Sequence, residues 1–424
     1  MENRALIQKS LDYIEDNLQA EITAAELAEQ AGFSLFHYYR LFQQATGFPV
    51  MQYILRRRLL HGVYAIRQGS TKVDAAFRYG FDTYAGFYKA FCREFGATPS
   101  VFITSRRAKR PYRVDLTKEE TMTVTHKKIA QMLKHWDLTG EAVTDIYHDG
   151  TGNKNDCACY IGEDYVLKYT ADFEKLKKHL EVSRALEDIG LLSAAPIPTA
   201  KGTDFLQDGD IYFFLTRRLP GEEMVSHRFG EGDGRFVGEI LGQLHLALEK
   251  MDAQVADADL LGTVRDWALP KASVALGLSE GFCRAYLDDL ARLYPQLPRQ
   301  LIHRDPNPGN IICEDAQWGF IDFDLAERNA RIYDPCYAAT AVLSETFGKD
   351  NDRWLEIYRD IIWGYDSVAK LTEAEREAIP YVLLANQFVC VAWFAQQDKY
   401  LEIYETNREM TAWLIEKLQE LKDI

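Results

Sequence analysis

Three polar side chains near residue 310 have the types and the spacing that phosphoryl transfer needs. In the segment LIHRDPNPGNIICEDAQWGFIDFD, Asp305 precedes Asn310 by five residues, and Asp322 follows in an apolar run typical of a strand. Transfer of a phosphoryl group from ATP needs a carboxylate that orients or deprotonates the acceptor hydroxyl, and oxygen ligands that hold Mg²⁺ on the phosphates. Asp305 can supply the first, and Asn310 with Asp322 can supply the second. The sequence therefore predicts a catalytic loop followed by a metal-binding strand.

This segment resembles the aminoglycoside phosphotransferase and choline kinase superfamily, a branch of the protein-kinase fold. The resemblance covers roughly residues 125–420 and is clearest over 300–336. It implies that Asp305 is the catalytic carboxylate and that Asn310 and Asp322 are ligands of Mg²⁺. It also implies that ATP or GTP is the phosphoryl donor.

Four residues around this loop refine the expectation. His303 would brace the loop. Asp334 matches an aspartate that follows the metal-binding strand in many relatives, although capping of the next helix is the simpler interpretation. Two residues depart from the family pattern: Arg304 stands where small-molecule kinases often have glycine, and Asp324 stands where D-F-G places glycine. Neither change removes a catalytic group.

Nucleotide-binding residues are expected upstream of this loop. The run EDYVLKY resembles the third strand of a kinase, with Lys168 placed to pair with the α- and β-phosphates. The helix that follows offers Glu181 as the partner of Lys168, with Glu174 and Glu187 as rivals on the same stretch.

Two further segments are candidates to contact the nucleotide. The loop HDGTGNKND could cover the phosphates through Gly150, Gly152 and Asn153, but a polar hairpin turn of similar composition is equally common. FLTRRLPGEE resembles the hinge between kinase lobes, where backbone groups from Thr216 to Leu219 would meet the adenine.

The first hundred residues contain an internal repeat, AELAEQAGFSLFHYYRLFQQATGFP and VDAAFRYGFDTYAGFYKAFCREFGATP. In each copy an amphipathic helix ends at a glycine, Gly32 or Gly80, which tolerates the left-handed conformation that closes a helix. Ser34 or Asp82 then follows as the N-cap of a second helix. Helix, glycine turn and capped second helix together are the plan of a helix-turn-helix unit.

These residues strongly resemble the AraC/XylS-type DNA-binding domain over about residues 5–105. The family fold implies two recognition helices, at about 34–43 and 82–92, that enter successive major-groove segments of double-stranded DNA. Helical spacing directs to the core Tyr38, Leu41, Phe42, Phe87 and Phe91. The residues left to face bases or phosphates are Phe36, His37, Arg40, Thr83, Tyr84 and Lys89. A helical protein-interaction bundle is the alternative.

The charge distribution favours a polyanion-binding module at the N-terminal end. Residues 1–113 carry 16 Lys and Arg against 10 Asp and Glu, whereas the remainder carries 33 against 54, within a net charge of −15. The run of Arg56, Arg57 and Arg58 lies on the helix between the two repeats. For this run, a solvated helix face and contact with DNA phosphates both stay open.

The predicted organisation is multidomain. An all-α double helix-turn-helix domain at 1–107 and a polar linker at 108–124 precede an α+β bilobal kinase-like domain, with an N-lobe at 125–220 and a helical C-lobe at 221–424. No stretch approaches 18 consecutive apolar residues, so no membrane span is expected. Seven scattered cysteines and the absence of a signal-like start favour reduced thiols in a cytoplasm.

Three functions are open at this point. The chain is a transcriptional regulator fused to an ATP-dependent kinase for a hydroxyl of a small molecule, such as an aminoglycoside or an amino alcohol. Alternatively, its kinase fold is a non-catalytic sensor of a ligand or nucleotide, or its helix-turn-helix unit only mediates association. The retention of Asp305, Asn310, Asp322 and Lys168 favours the first. The acceptor and the operator are not identified, and a homodimer stays open.

Overall fold

The computed structural model describes residues 2–116, 124–147, 152, 154–251, 255, 257–315, 317–349 and 351–422. They form two compact units, Met1–Gly162 and Glu163–Ile424. In its described part, the first unit is helical apart from one hairpin, and the second combines sheets with a large helical core. The predicted fold class, an all-α domain followed by an α+β domain, is confirmed.

The first unit begins with the double helix-turn-helix. Its helices are α1 (Glu2–Asp16), α2 (Ala24–Gln30), α3 (Leu35–Thr46), α4 (Val50–Arg67), α5 (Lys72–Arg78), α6 (Tyr84–Phe95), α7 (Pro99–Thr104) and α8 (His126–Met132). Its strands β1 (Val143–Tyr147) and β2 (Lys154–Ile161) form an antiparallel hairpin.

The two repeats turn in the same way after their first helix. Gly32 and Gly80 have φ angles of 73° and 82°, the left-handed region in which glycine carries no steric penalty. The next residue then returns its N–H to the helix carbonyl five residues earlier, at 2.9 Å for Phe33 and 3.0 Å for Phe81. The repeat inferred from sequence is therefore a repeat of backbone geometry.

A side-chain cap starts the second helix of each repeat. The Ser34 hydroxyl accepts the N–H of His37, as the sequence predicts. In the second repeat the cap is Thr83, whose Oγ1 accepts the N–H of Gly86 at 3.0 Å, so the prediction of Asp82 as the cap was wrong. Thr83 has the extended backbone of an N-cap residue, and α6 accordingly begins one residue after it.

The three consecutive arginines of α4 point into the first unit. Arg57 is buried, and its guanidinium forms two hydrogen bonds with the buried carboxylate of Glu15 on α1. Arg56 pairs with Glu94 on α6 at 2.9 Å. Arg58 donates to two backbone carbonyls in the turn after α1, at 3.0 and 2.5 Å. These contacts fix α4 against both repeats, so a solvated helix face does not describe this run.

The described part of the predicted linker is packed. Ala108 and Leu116 are buried, and the backbone N–H of Leu116 donates to Oε1 of Gln8 on α1 at 2.6 Å. Residues 117–123 lie outside the described part of the chain. The polar composition of 108–116 therefore concealed a segment that lies along α1.

The β1–β2 hairpin belongs to the hydrophobic core of the second repeat. The Tyr147 ring packs edge-on against Phe102 of α7, with centroids 6.1 Å apart, and the Arg107 guanidinium lies 4.2 Å from the Tyr147 ring centroid. Burial raises the pKa of Tyr147 to about 12. Tyr147 therefore takes part in the packing of the first unit.

The second unit contains two larger groups of strands. Its strands are β3 (Tyr165–Thr170), β4 (Leu192–Ser193), β5 (Pro196–Ile197), β6 (Leu206–Asp208), β7 (Ile211–Arg217), β8 (Glu222–Glu223), β9 (Arg299–Ile302), β10 (Ile311–Glu314), β11 (Gln317–Phe320) and β12 (Glu327–Ala330). Strand β7 pairs antiparallel with β3, β5 and β6. A second sheet has the order β4-β11-β10-β8, and β12 pairs with β9.

The helices of the second unit enclose its core. They are α9 (Phe173–Asp188), α10 (Asp233–Leu248), α11 (Leu260–Thr263), α12 (Leu269–Leu276), α13 (Glu280–Leu293), α14 (Tyr333–Thr346), α15 (Asn351–Val368), α16 (Glu373–Phe394), α17 (Leu401–Glu416) and α18 (Leu418–Lys422). Of the described helices, α16 alone is long and apolar enough to cross a membrane. Because 72% of its most apolar window is buried in the protein, it has the character of a core helix.

Helices α10 and α15 touch backbone to backbone. A Cβ atom added at Gly238 would lie 2.1 Å from the carbonyl oxygen of Ile361, and one added at Gly364 would lie 2.1 Å from the carbonyl oxygen of Arg235. Only glycine permits so close an approach. This contact fixes the N-terminal half of α10 against α15, and in the last turn of α10 His245 lies 2.7 Å from the hydroxyl of Tyr365 on α15.

Candidate functional site

The loop after β9 and the β10–β11 hairpin bring the predicted catalytic and metal-binding residues together. The Asn310 side chain donates to the backbone carbonyl of Asp305 at 2.9 Å, and its Nδ2 lies 3.5 Å from the Asp305 carboxylate. The N–H of Ile321 donates to the carbonyl of Asn310 at 3.0 Å, which extends the pairing at the open end of the hairpin. Asp322 follows at this open end, so Asp305, Asn310 and Asp322 share one edge of the sheet.

The Asp305 carboxylate has the environment of a proton acceptor. The Asn307 side chain donates to its Oδ1 at 3.0 Å. Burial raises the pKa of Asp305 above its usual value, while the hydrogen bond from Asn307 and the charge of His303 oppose that rise. A carboxylate with a raised pKa is better matched to accepting a hydroxyl proton near neutral pH.

Lys168 lies at the same place. It sits on β3 opposite Phe214 of β7, and its Nζ lies 2.8 Å from Oδ1 of Asp322 and 3.7 Å from Oδ1 of Asp324. The lysine predicted to reach the phosphates and the aspartate predicted to hold the metal are therefore in direct contact.

The structure places Glu181 differently from the sequence prediction. Its carboxylate lies 3.9 Å from Nζ of Lys177, one turn earlier on α9, whereas Lys168 contacts the two aspartates after β11. The residue of α9 that reaches this region is the fully buried His179, whose Nδ1 lies 3.4 Å from Asp324. Sequence inspection missed His179 because an acidic partner for the lysine was sought.

Asp334 braces the catalytic loop and does not cap α14, as the helix has no side-chain cap. Its buried carboxylate accepts the backbone N–H groups of His303 and Arg304, at 2.8 and 2.9 Å. Nε2 of His245 lies 2.9 Å from the same carboxylate, and Nδ1 of that ring lies 2.7 Å from the Tyr365 hydroxyl. The helix-capping interpretation was therefore wrong. His303 contributes as expected, with Nε2 3.0 Å from the carbonyl of residue 321.

Arg304 occupies a position at which glycine would be unstrained. Its φ angle is 74°, in the left-handed region that side chains other than glycine rarely adopt. Its guanidinium pairs with Glu327 at 2.8 Å and lies 5.2 Å from the ring centroid of Tyr333. These contacts offset the backbone strain and explain how arginine is accommodated there.

The remaining nucleotide-binding predictions have mixed placements. Gly150 and Asn153 lie outside the described residues. Gly152 is buried, and a Cβ atom on it would lie 2.4 Å from the backbone of Arg106 in the first unit. Thr216 lies inside β7 and is paired on both sides, so its backbone is already engaged in the sheet. Leu219 lies past the end of that strand and is buried.

An oxygen-donor set suited to Mg²⁺ exists at the loop edge. Because the Asn310 amide nitrogen donates to the Asp305 carbonyl, the amide oxygen of Asn310 is left as an acceptor, on the sheet edge from which Asp322 also extends. Mg²⁺ prefers carboxylate and carbonyl oxygens, together with substrate phosphates. These two residues therefore fit the ion.

The predicted recognition helices present the expected faces. The five residues assigned to the core, Tyr38, Leu41, Phe42, Phe87 and Phe91, are all buried. On α3, Phe36 is 82% exposed and Arg40 is exposed. On α6, Lys89 is exposed, and the half-buried Tyr84 stacks on Phe87.

Two candidate DNA contacts have structural roles as well. The Thr83 hydroxyl oxygen caps α6, and the His37 ring packs edge-on against Phe33 with centroids 5.2 Å apart. The exposed face of α6 also carries Tyr88 and Arg93, which helical spacing alone did not single out.

Comparison with known proteins identifies both parts. Residues 147–371 match the model of the phosphotransferase enzyme family, and residues 27–105 match a helix-turn-helix domain. The chain is 30% identical over 99 residues to the HTH-type transcriptional activator AarP of Providencia stuartii, covering 23% of this chain and 73% of AarP. It is 25% identical over 158 residues to the transcriptional regulator Rob of Salmonella typhimurium, covering 35% of this chain and 55% of Rob. The chain thus spans about half the length of that regulator.

The second part resembles kinases. The chain is 28% identical over 269 residues to a homoserine kinase of Phenylobacterium zucineum, covering 61% of this chain and 80% of that protein. Among solved structures, an amicoumacin kinase in complex with AMP-PNP, Ca²⁺ and its ligand is similar with a TM-score of 0.52 at 16% identity, covering 70% of this chain and 96% of that one. The structural likeness supports the fold.

Proposed function

Because the chain belongs to the phosphotransferase enzyme family and carries an AraC-type helix-turn-helix domain, we propose that it is a DNA-binding regulator that phosphorylates a small molecule. The reaction is transfer of the γ-phosphoryl group of ATP or GTP to a hydroxyl, with an aminoglycoside or amino alcohol as the acceptor class. The observation that carries the proposal is the meeting of Lys168 with Asp322 at 2.8 Å, beside Asp305 and Asn310. A cytoplasmic location fits the scattered cysteines.

Each residue has a distinct role in this proposal. Asp305 orients the acceptor hydroxyl and takes up its proton, which its raised pKa favours. Asn310 and Asp322 would hold Mg²⁺, which would neutralise charge on the phosphates. Lys168 then turns from Asp322 to the α- and β-phosphates. Asp334 keeps the Asp305 loop in place through its two backbone hydrogen bonds.

The DNA-binding part of the proposal rests on the exposed faces of α3 and α6. We assign base or phosphate contacts to Phe36, His37, Arg40, Thr83, Tyr84 and Lys89. Selection of duplex DNA by the full-length protein tests this assignment. Arg40→Ala should weaken binding, and binding should fall steeply with salt, because arginine and lysine contacts release counterions. If the selection recovers no preferred DNA sequence, the helix-turn-helix domain would instead mediate association between proteins.

The kinase reaction is tested with the full-length protein, ATP or GTP, and a panel of amino sugars and amino alcohols. Asp305→Asn should lower phosphorylation roughly 100- to 10,000-fold, the usual contribution of a positioned base, while nucleotide affinity stays near wild type. Asp322→Ala should abolish Mg²⁺-dependent nucleotide binding. Asp315→Asn is the matched control, since Asp315 is an exposed carboxylate in the same β10–β11 hairpin.

The same variant separates an enzyme from a sensor. If no acceptor is phosphorylated, and the Asp305→Asn variant regulates a reporter gene as wild type does, the catalytic proposal is wrong. Nucleotide occupancy would then be the signal. If Asp305→Asn loses both phosphorylation and regulation, the phosphorylated product is the signal.

A further inference from the structure

We propose that Asp324 and His179 together are positioning residues for Lys168. They take the place of the helix glutamate with which that lysine was expected to pair. The inference rests on the proposed nucleotide site and adds to it how the phosphate-binding lysine is held.

The three side chains form a continuous chain of contacts. Nζ of Lys168 lies 3.7 Å from Oδ1 of Asp324, and the same oxygen lies 3.4 Å from Nδ1 of His179. The Phe214 ring lies beside both side chains, with its centroid 5.9 Å from the Lys168 nitrogen and 5.0 Å from the His179 ring. Asp324 is therefore placed between one residue of β3 and one of α9.

The described residues show no other role for the ring nitrogens of His179. It is fully buried, and among the described residues neither ring nitrogen has a hydrogen-bond partner, nor does Oδ1 of Asp324. The buried imidazole lies 3.4 Å from the partly buried Asp324 carboxylate, so only a small shift is needed to form a hydrogen bond that satisfies both groups.

The geometry of α9 separates His179 from Glu181. Residues two positions apart on an α-helix are rotated by about 200° around its axis, so His179 and Glu181 extend from opposite faces of α9. The Glu181 carboxylate lies 3.9 Å from Nζ of Lys177, and both side chains are exposed by more than a third of their area, although Oε2 of Glu181 is buried and has no hydrogen-bond partner among the described residues. The α9 face that meets the site thus carries an imidazole, and the carboxylate is supplied by Asp324.

This exchange keeps a carboxylate beside the lysine. In the expected pattern the carboxylate comes from a helix glutamate, and a glycine follows the metal-binding strand. Here Asp324 supplies the carboxylate, 3.7 Å from Nζ of Lys168. If Asp322 held a metal ion, Asp324 would remain beside Lys168 and direct it toward the phosphates. The two departures from the expected pattern, at positions 179 and 324, therefore compensate each other.

A swap experiment tests the compensation in the full-length protein. Asp324→Gly removes the carboxylate, and His179→Glu sets a second carboxylate beside Asp324. Each should weaken Mg²⁺–nucleotide binding about tenfold or more, because the first removes an ion pair that holds Lys168 and the second adds a carboxylate that competes with the phosphates for it. The double variant His179→Glu/Asp324→Gly restores one carboxylate facing Lys168. Calorimetry should return its affinity to within about threefold of wild type. Glu181→Gln is the control and should change nothing.

Kinetics and stability distinguish the outcomes. Because Lys168 contacts the nucleotide, the single variants should raise the nucleotide KM as well as lower kcat, and the double variant should recover both. Additive losses in the double variant would overturn the proposal. Weakened Mn²⁺ binding by nucleotide-free His179→Ala, with unchanged nucleotide affinity, would instead make His179 a metal ligand and also overturn it.

Failure of the proposed function has a different signature. If the wild-type protein binds no nucleotide, the proposed kinase function is wrong. The contact between His179 and Asp324 is then tested by thermal unfolding without ligand. A double-mutant cycle of His179→Ala and Asp324→Ala should then still show coupling. Independent effects on unfolding would overturn the positioning role.

Discussion

The buried ion pair between Glu15 and Arg57 should control the stability of the DNA-binding unit. The Glu15 side chain is 5% exposed and the Arg57 side chain 7%, and the guanidinium meets the carboxylate with two hydrogen bonds. Removing one partner strands the other charge in the protein, which typically costs about 3–5 kcal/mol. We expect Glu15→Gln and Arg57→Met each to destabilise the unit by about this amount, and the double variant by less than the sum.

The pKa of Glu15 gives an independent estimate of the same magnitude. Burial alone would raise it, but hydrogen bonds and charge from His61 and Arg57 lower it from 4.5 to about 2. A folded-state pKa below the unfolded one contributes stability that is present above the unfolded value and is lost as the pH falls. At about 1.4 kcal/mol per pH unit, the contribution is about 3 kcal/mol, lost between about pH 4.5 and 2.

Hydrogen–deuterium exchange of α1 and α4 peptides in the full-length chain measures this effect without a contribution from the second unit. The control is Arg113→Met, which breaks an exposed pair with Asp16. It should cost at most about 1 kcal/mol, as surface pairs do. The reasoning is refuted if Arg57→Met costs no more than the control. It is also refuted if Glu15→Gln leaves the acid dependence of α1 protection unchanged.

Three further changes should act through specific contacts. Gly238→Ala should destabilise the second unit by about 1–3 kcal/mol in calorimetry, because the new methyl group would meet the Ile361 carbonyl, whereas Gly281→Ala on the exposed face of α13 should not. Asp334→Asn should lower the melting temperature of the second unit. The Asn amide nitrogen cannot accept a hydrogen bond, so one of the two loop N–H groups that Asp334 accepts would lose its acceptor. An unchanged melting temperature would contradict the role of Asp334 in holding the loop. Thr83→Ala should reduce exchange protection of α6 by about 1 kcal/mol, and Thr83→Ser should retain it.

The sequence was most informative where a local rule leaves few choices. A glycine followed by a capped helix predicted both turns, at Gly32 and Gly80, because left-handed φ and N-cap chemistry depend on residues adjacent in the chain. The loop with Asp305 and Asn310 was recognisable for the same reason, since its ligand spacing is set over five residues. Even there Asp82 and Thr83 could not be separated, because both residue types are good caps.

Partners distant in sequence could not be predicted. Arg57 pairs with a residue 42 positions away, so its inward orientation depends on how α1 packs against α4. Three adjacent arginines are typical of a charged surface, and no local signal shows that burial and pairing will override that tendency. His179 was missed for a related reason: its role depends on Asp324, which lies 145 residues later and reaches it only through the tertiary fold.

The packing of Tyr147 limits where the chain can be cut to make a fragment. Its ring packs against Phe102, which is 2% exposed, and the Arg107 guanidinium lies 4.2 Å from the centroid of the Tyr147 ring. A fragment that ends before Tyr147 would leave that apolar surface in water and favour aggregation. A fragment that carries the DNA-binding half to another protein should therefore include Tyr147.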